Sequence, residues 1–140
     1  MQIITELDHL DILMMLEKVK IEIDSKGASG AVAVVNRDGD VVGFLRIGFG
    51  SSHNGSLAIN KAFTSARDKK ESKELGQASR QYDFPLSWFG DNRYTGFGGG
   101  APLFWKDQCV GAIGISGLTE DEDTILARRV AEAFNQPKGS

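Results

Sequence analysis

Leu7, Leu10, Met14 and Ile21 recur at helical spacing near the start of the chain, and Leu13 and Met15 widen that apolar face. Thr5-Glu6-Leu7-Asp8 reads as the helix start, a hydroxyl cap followed by acids in the first turn, and Gly27 is the expected stop. Residues 31–36 form an unbroken valine-rich run, which predicts a strand covered on both faces. Asp38-Gly39 is a hairpin signal, and residues 41–47 form the return strand. A glycine- and serine-rich loop over residues 48–56 carries His53 and Asn54. From about Leu57 a helix is expected to run to near Gly76. Its Ala58, Ala62 and Ala66 make a small-residue stripe beside Ile59 and Phe63, suited to close packing on a sheet or a partner helix.

Residues 78–96 are irregular and aromatic (Tyr82, Phe84, Trp88, Phe89, Tyr94), with a short strand expected over 84–88. Three glycines, Gly98, Gly99 and Gly100, then open a hairpin. Pro102 leads into an apolar strand over 103–105, Lys106, Asp107 and Gln108 turn the chain, and residues 109–115 return with Gly111 and Gly114 inside the strand. So many glycines in one hairpin mark a bulge or a close approach by a ligand or another backbone. Thr119-Glu120-Asp121-Glu122 is a capping box before a last helix carrying Ile125, Leu126, Val130, Ala133 and Phe134. The order of elements predicts an α+β domain: one antiparallel sheet of about five strands, flanked by helices.

With 140 residues, the chain is expected to form one domain over 1–140. A net charge of -3 weighs against a nucleic-acid partner. The densest basic spot, Lys69-Lys70, is followed at once by Glu71 and Glu74, as on a solvated helix face. The one cysteine, Cys109, has no internal disulfide partner, and no Cys/His spacing resembles a zinc site. No signal peptide and no apolar run of membrane-spanning length is visible, so a cytoplasmic protein without a membrane partner is expected. Residues 136–140 read as a mobile tail.

Four segments in this order resemble the GlcG/HbpS-like proteins, a family that includes the C-terminal domain of PduO-type proteins. They are AVAVVNRDGDVVGFLRIG, AINKAFTSA with Lys61 and Ala62, GGGAP, and GAIGISG leading into an acid-rich capped helix with Asp123. The likeness spans about residues 5–133. It implies a profilin-like fold, assembly as a homo-oligomer (dimer or larger), and for several members heme binding; others accompany catabolic operons. Where the family carries Arg-Met-Asp after the second strand, Arg46 is here followed by Ile47 and Gly48, and the aromatic insert over residues 82–94 has no match.

The chemistry-bearing candidates follow from residue type and setting. His53 is either an axial heme ligand or general base, or an exposed residue near a helix cap. His9, on the first helix, is a weaker candidate iron ligand or a half-exposed surface residue of an amphipathic helix, and Met14 and Met15 read as core. Arg46 suits a carboxylate such as a heme propionate, or a structural ion pair. Lys61 is an anion anchor or desolvated nucleophile, or a lysine snorkelling past alanines. Gly98, Gly99 and Gly100 form an anion nest or a bulged strand. Arg93, Tyr94, Phe84, Trp88 and Phe97 wall a flat ligand, or close an interface or core. Ser116 lacks the flanking pattern of a hydrolase nucleophile.

Together these suggest a small ligand-binding protein of the GlcG/HbpS type with heme as cofactor. The alternative is a catabolic-pathway enzyme acting on a small carboxylate-bearing metabolite by proton transfer or lyase chemistry. Self-association is expected through the alanine-rich helix or the glycine hairpin.

Overall fold

A valine-rich strand that must be covered twice needs helices on both sides of its sheet, and the computed structural model, which describes residues 1–135, has that arrangement. Strands β1 (Gly30–Asn36), β2 (Val41–Ile47), β3 (Gly100–Trp105) and β4 (Gln108–Ser116) form one antiparallel sheet in the order β2-β1-β4-β3. Helices α1 (His9–Ser25), α2 (His53–Asp68), α3 (Ser72–Tyr82) and α4 (Glu120–Asn135) flank it. The α+β expectation stands, with four strands among the described residues rather than about five. The shortfall is residues 84–88: Pro85 precedes a 3₁₀ turn, Leu86–Phe89, that pairs with no strand of the sheet.

Side-chain alternation divides β1 between two cores. Val32 and Val34 face α1 and α4, packing with Met15, Val19, Ile23, Ile113, Ile115 and Leu126. Ala31, Ala33 and Val35 face α2, packing with Ala58, Ala62, Ala66 and Ala112. Each large apolar side chain buried this way contributes about 1.5–3 kcal/mol. The small-residue stripe of α2 is therefore occupied by the protein's own sheet, which corrects the expectation that it serves a partner chain.

The hairpin glycines are explained by the same helix. A Cβ on Gly114 would strike the Ala58 carbonyl and come within 2.6 Å of the Ala62 nitrogen, and one on Gly100 would strike the Lys61 carbonyl. α2 lies directly on a glycine-paved patch of β3 and β4.

Boundaries moved where capping chemistry decided them. Asp8, not Thr5, caps α1, its side chain accepting from the Asp11 N–H at 2.9 Å. α2 begins at His53 rather than near Leu57. It ends at Asp68, and the expected continuation is a separate α3, opened by a Glu71–Glu74 capping box. The Thr119–Glu122 box forms as read: the Glu122 N–H donates to Thr119 Oγ1 at 3.1 Å, and the Thr119 N–H to Glu122 Oε1 at 3.3 Å. Lys106 and Asp107 both take left-handed backbone (φ 48° and 65°), making a tight two-residue turn, while Gln108 already belongs to β4. The expected tail over 136–140 lies outside the described residues.

Candidate functional site

The N-terminal turns of α2, the β4–α4 junction and the loop before α2 enclose a cleft of about 470 Å3. His53, Asn54 and Lys61 line it from α2, Ser116 from the end of β4, and Glu120 and Asp123 from α4. Leu57, Phe97 and Leu118 supply its apolar surface. The first turn of α2 holds no acidic residue, and Ser52 makes no side-chain cap bond. The partial positive charge of that helix end is thus not offset by its own sequence.

Lys61 and Asp123 form the floor and are 3% and 2% exposed. Lys61 Nζ donates to the Ile115 carbonyl at 2.9 Å and to Asp123 Oδ2 at 3.3 Å. Asp123 Oδ1 accepts the Leu118 N–H at 3.1 Å. Burial pulls each group toward its neutral form, and the partner's charge pulls back. Lys61 lies below its ordinary value of 10.5 because of desolvation, opposed by Asp123. Asp123 lies above 3.8, again through desolvation, opposed by Lys61 and by backbone N–H groups. An ammonium has three hydrogens and two acceptors are accounted for, so one donor position of Lys61 remains for the cleft. Above the floor, Ser116 Oγ donates to Asn54 Oδ1 at 3.3 Å.

The structure brings His53 and Lys61 into one cleft and leaves other candidates outside it. His53 is exposed at the rim, as the first residue of α2. His9 is exposed at the start of α1 and does not line the cleft. Arg46 is exposed on β2 opposite Ala31, hence on the α2 side of the sheet, and is not a cleft-lining residue.

Gly98, Gly99 and Gly100 are buried beneath α2 and α4. The Gly100 N–H donates to Ser72 Oγ at 2.9 Å, and the Gly99 carbonyl accepts the Ile115 N–H at 2.9 Å. A Cβ on Gly99 would come within 3.0 Å of Lys61 Nζ, so this glycine makes room for the buried pair.

Of the aromatic set, Phe97 reaches the cleft. Tyr94 stacks on Phe89 (4.8 Å between centroids) and meets Phe63 edge-on (5.2 Å). Arg93 lies 4.0 Å over the Phe63 ring and pairs with Asp91 at 2.8 Å, holding the Asp91 carboxyl down to about 2. The insert thus folds onto the outer side of α2.

Asp123, Asn54 and Glu120 were not singled out as site residues from the sequence. A lysine set among alanines carries the signal for Asp123, since a buried ammonium requires a carboxylate. Among the described residues, no group of three or more His, Cys, Asp or Glu is arranged to hold a metal ion. Nor is any helix among them long and apolar enough to cross a membrane.

Fold and cleft define a small α+β domain, one four-stranded sheet between helices, with an ion-paired cleft at one end of α2. The sequence matches the family described as "Haem degrading protein HbpS-like" over residues 7–132, and the chain belongs to that family. It is 26% identical over 106 residues to an uncharacterised 15.0 kDa protein of the dhaT-dhaS intergenic region of Citrobacter freundii, covering 74% of this chain and 75% of that one. The crystal structure of Klebsiella pneumoniae protein ORFY is similar with a TM-score of 0.88 at 23% identity, over 99% of this chain and 97% of that one. A PduOC:heme complex is similar with a TM-score of 0.83 at 23% identity, over 97% of this chain and 100% of that one.

Proposed function

We propose that this chain is a heme-binding protein and that heme enters the cleft between α2 and the β4–α4 junction. The observation that carries the reading is the exposed imidazole of His53 at the rim of a cleft that also holds Leu57, Phe97 and Leu118. The donor chemistry fits: imidazole is a ligand for heme iron, and the apolar side chains suit a porphyrin face. The family match, and a structural neighbour solved as a heme complex, support the same reading.

Heme, when bound, would supply an iron centre that an imidazole can ligate. The chain's part is to offer His53 Nε2 or Nδ1 to that iron, to exclude water with Leu57 and Phe97, and to hold one Lys61 donor at the floor. Glu120 and Asp123 disfavour an anionic group on that floor.

Heme titration followed in the Soret region tests this. Saturable, stoichiometric binding is expected, with His53→Ala shifting the band and weakening affinity by at least about ten-fold. His9→Ala should leave both unchanged. Absence of saturable binding, or binding indifferent to His53, would overturn the proposal.

A further inference from the structure

Lys61 and Asp123 combine features that a purely structural ion pair does not need. Both are buried, yet both line the cleft, so each can be reached from it. Lys61 Nζ donates to the Ile115 carbonyl at 2.9 Å and to Asp123 Oδ2 at 3.3 Å, which fixes the nitrogen in place with one position unused. Gly99 keeps room beside it, since a Cβ there would stand 3.0 Å from Nζ. Desolvation draws Lys61 below its ordinary value and Asp123 above its own, so a proton passes between them more readily than in a solvated pair. A fixed, desolvated amine with an acid–base partner in reach is the arrangement that makes a lysine nucleophilic toward a carbonyl carbon.

We propose that Lys61 forms a reversible Schiff base with a short, uncharged hydroxyaldehyde at the cleft floor, Asp123 moving the protons. The Lys61 ammonium passes one proton to the Asp123 carboxylate, and the freed nitrogen pair attacks the carbonyl carbon. The carbonyl pair moves to oxygen, which takes the proton back from Asp123. The nitrogen of this carbinolamine gives a second proton to Asp123, which hands it to the new hydroxyl as the C–O bond breaks. Water leaves, the C=N bond closes as a protonated imine, and Asp123 is again a carboxylate, its counter-ion. The charge of the floor selects the ligand. The carboxylates of Glu120 and Asp123 oppose a second anion, while Glu120 and Ser116 Oγ, facing the same cleft, can accept from a hydroxyl on the aldehyde. None of these steps uses His53 or iron, so the inference holds or fails apart from heme binding.

The test is reductive trapping on the heme-free wild type with glycolaldehyde at neutral pH, quenched with borohydride at timed intervals and read by peptide mass mapping. Reduction turns the imine into a stable hydroxyethyl amine and marks the residue that formed it. Lys61 is expected to be labelled at least about ten-fold faster than the exposed Lys18, Lys70 and Lys106. Glyoxylate, with a carboxylate in place of the hydroxymethyl group, should lose that preference for Lys61 over Lys18. Asp123→Asn, checked for folding by circular dichroism, should slow imine formation at Lys61 at least about ten-fold, although the amine is then less often protonated, and should leave Lys18 unchanged. If that variant unfolds, the wild-type map decides alone. Labelling of Lys61 no faster than that of the exposed lysines overturns the proposal. So does an equal preference with glyoxylate, or a folded Asp123→Asn chain that labels Lys61 at the wild-type rate.

Discussion

Asp123→Ala is expected to cost about 3–5 kcal/mol of folding stability, the largest loss of any single side-chain truncation around the cleft. The reason is what remains. Lys61 stays 3% exposed with one carbonyl acceptor and, for counter-charge, only the weaker influence of Glu120, and an ammonium in that setting tends to shed its proton or open the structure. Replacing both partners by apolar residues, Lys61→Met with Asp123→Leu, should recover most of the loss, because no charge is then left in the interior.

The pair also gives stability a characteristic pH profile. Asp123 is raised above 3.8 in the folded chain, so its contribution is fully present below 3.8 and is lost as pH climbs through the folded value. Lys61 is lowered below 10.5, so its contribution is present above 10.5 and is lost as pH falls through the folded value. Relative to the doubly apolar variant, the wild type should be weakest between those two windows and gain at both ends. Urea unfolding of the two proteins across pH reads this directly. A relative maximum near neutrality would mean that attraction within the pair outweighs its burial.

The second large effect is expected at Gly114, for a steric reason. A methyl group there would strike backbone of α2, at the Ala58 carbonyl and the Ala62 nitrogen, and backbone cannot rotate aside as a side chain can. Gly114→Ala should lose about 3 kcal/mol, at the upper end of overpacking costs. That corresponds to a fall in Tm of roughly 10 °C for a domain of this size. Gly90→Ala is the contrast: nothing lies within 4 Å of its Cβ position, so only the left-handed backbone (φ 80°) is penalised, at about 1–2 kcal/mol. Equal losses at the two positions would remove the close helix approach as the explanation of the hairpin glycines.

The fold was largely legible because its strands are written in local pattern. The run over 31–36, the Asp38-Gly39 turn and the return strand over 41–47 all stand where the periodicity put them. The misplaced boundaries were settled by competition among neighbours. Thr5 and Asp8 are both plausible caps, and the first turn formed on Asp8. Phe84, Leu86 and Trp88 alternate as in a strand, but Pro85 and the left-handed Asp83 and Gly90 break that run, and Leu86 and Trp88 go into a 3₁₀ turn.

The site was legible only in part, because half of it depends on contacts distant in sequence. Lys61 could be seen as a charge in need of company, but 62 positions separate it from the side chain that answers it, and no local rule connects them. The glycine run invited a ligand. What fills that space is helix backbone, visible only once α2 has been laid across β3 and β4.

The sheet order carries a consequence for the chain during synthesis. β1 pairs with β2 through a short turn, but its other edge waits for β4, Ala31 meeting Ser116 and Val35 meeting Ala112. While a ribosome is still adding the intervening residues, β1 has a bare valine-rich edge, the kind of surface that recruits other nascent strands. α2, already made by then, can lie over one face of that strand but cannot supply its missing hydrogen bonds. The interval between the emergence of residue 36 and that of residue 116 is therefore the period of greatest exposure to misassembly, and it closes when the second hairpin docks.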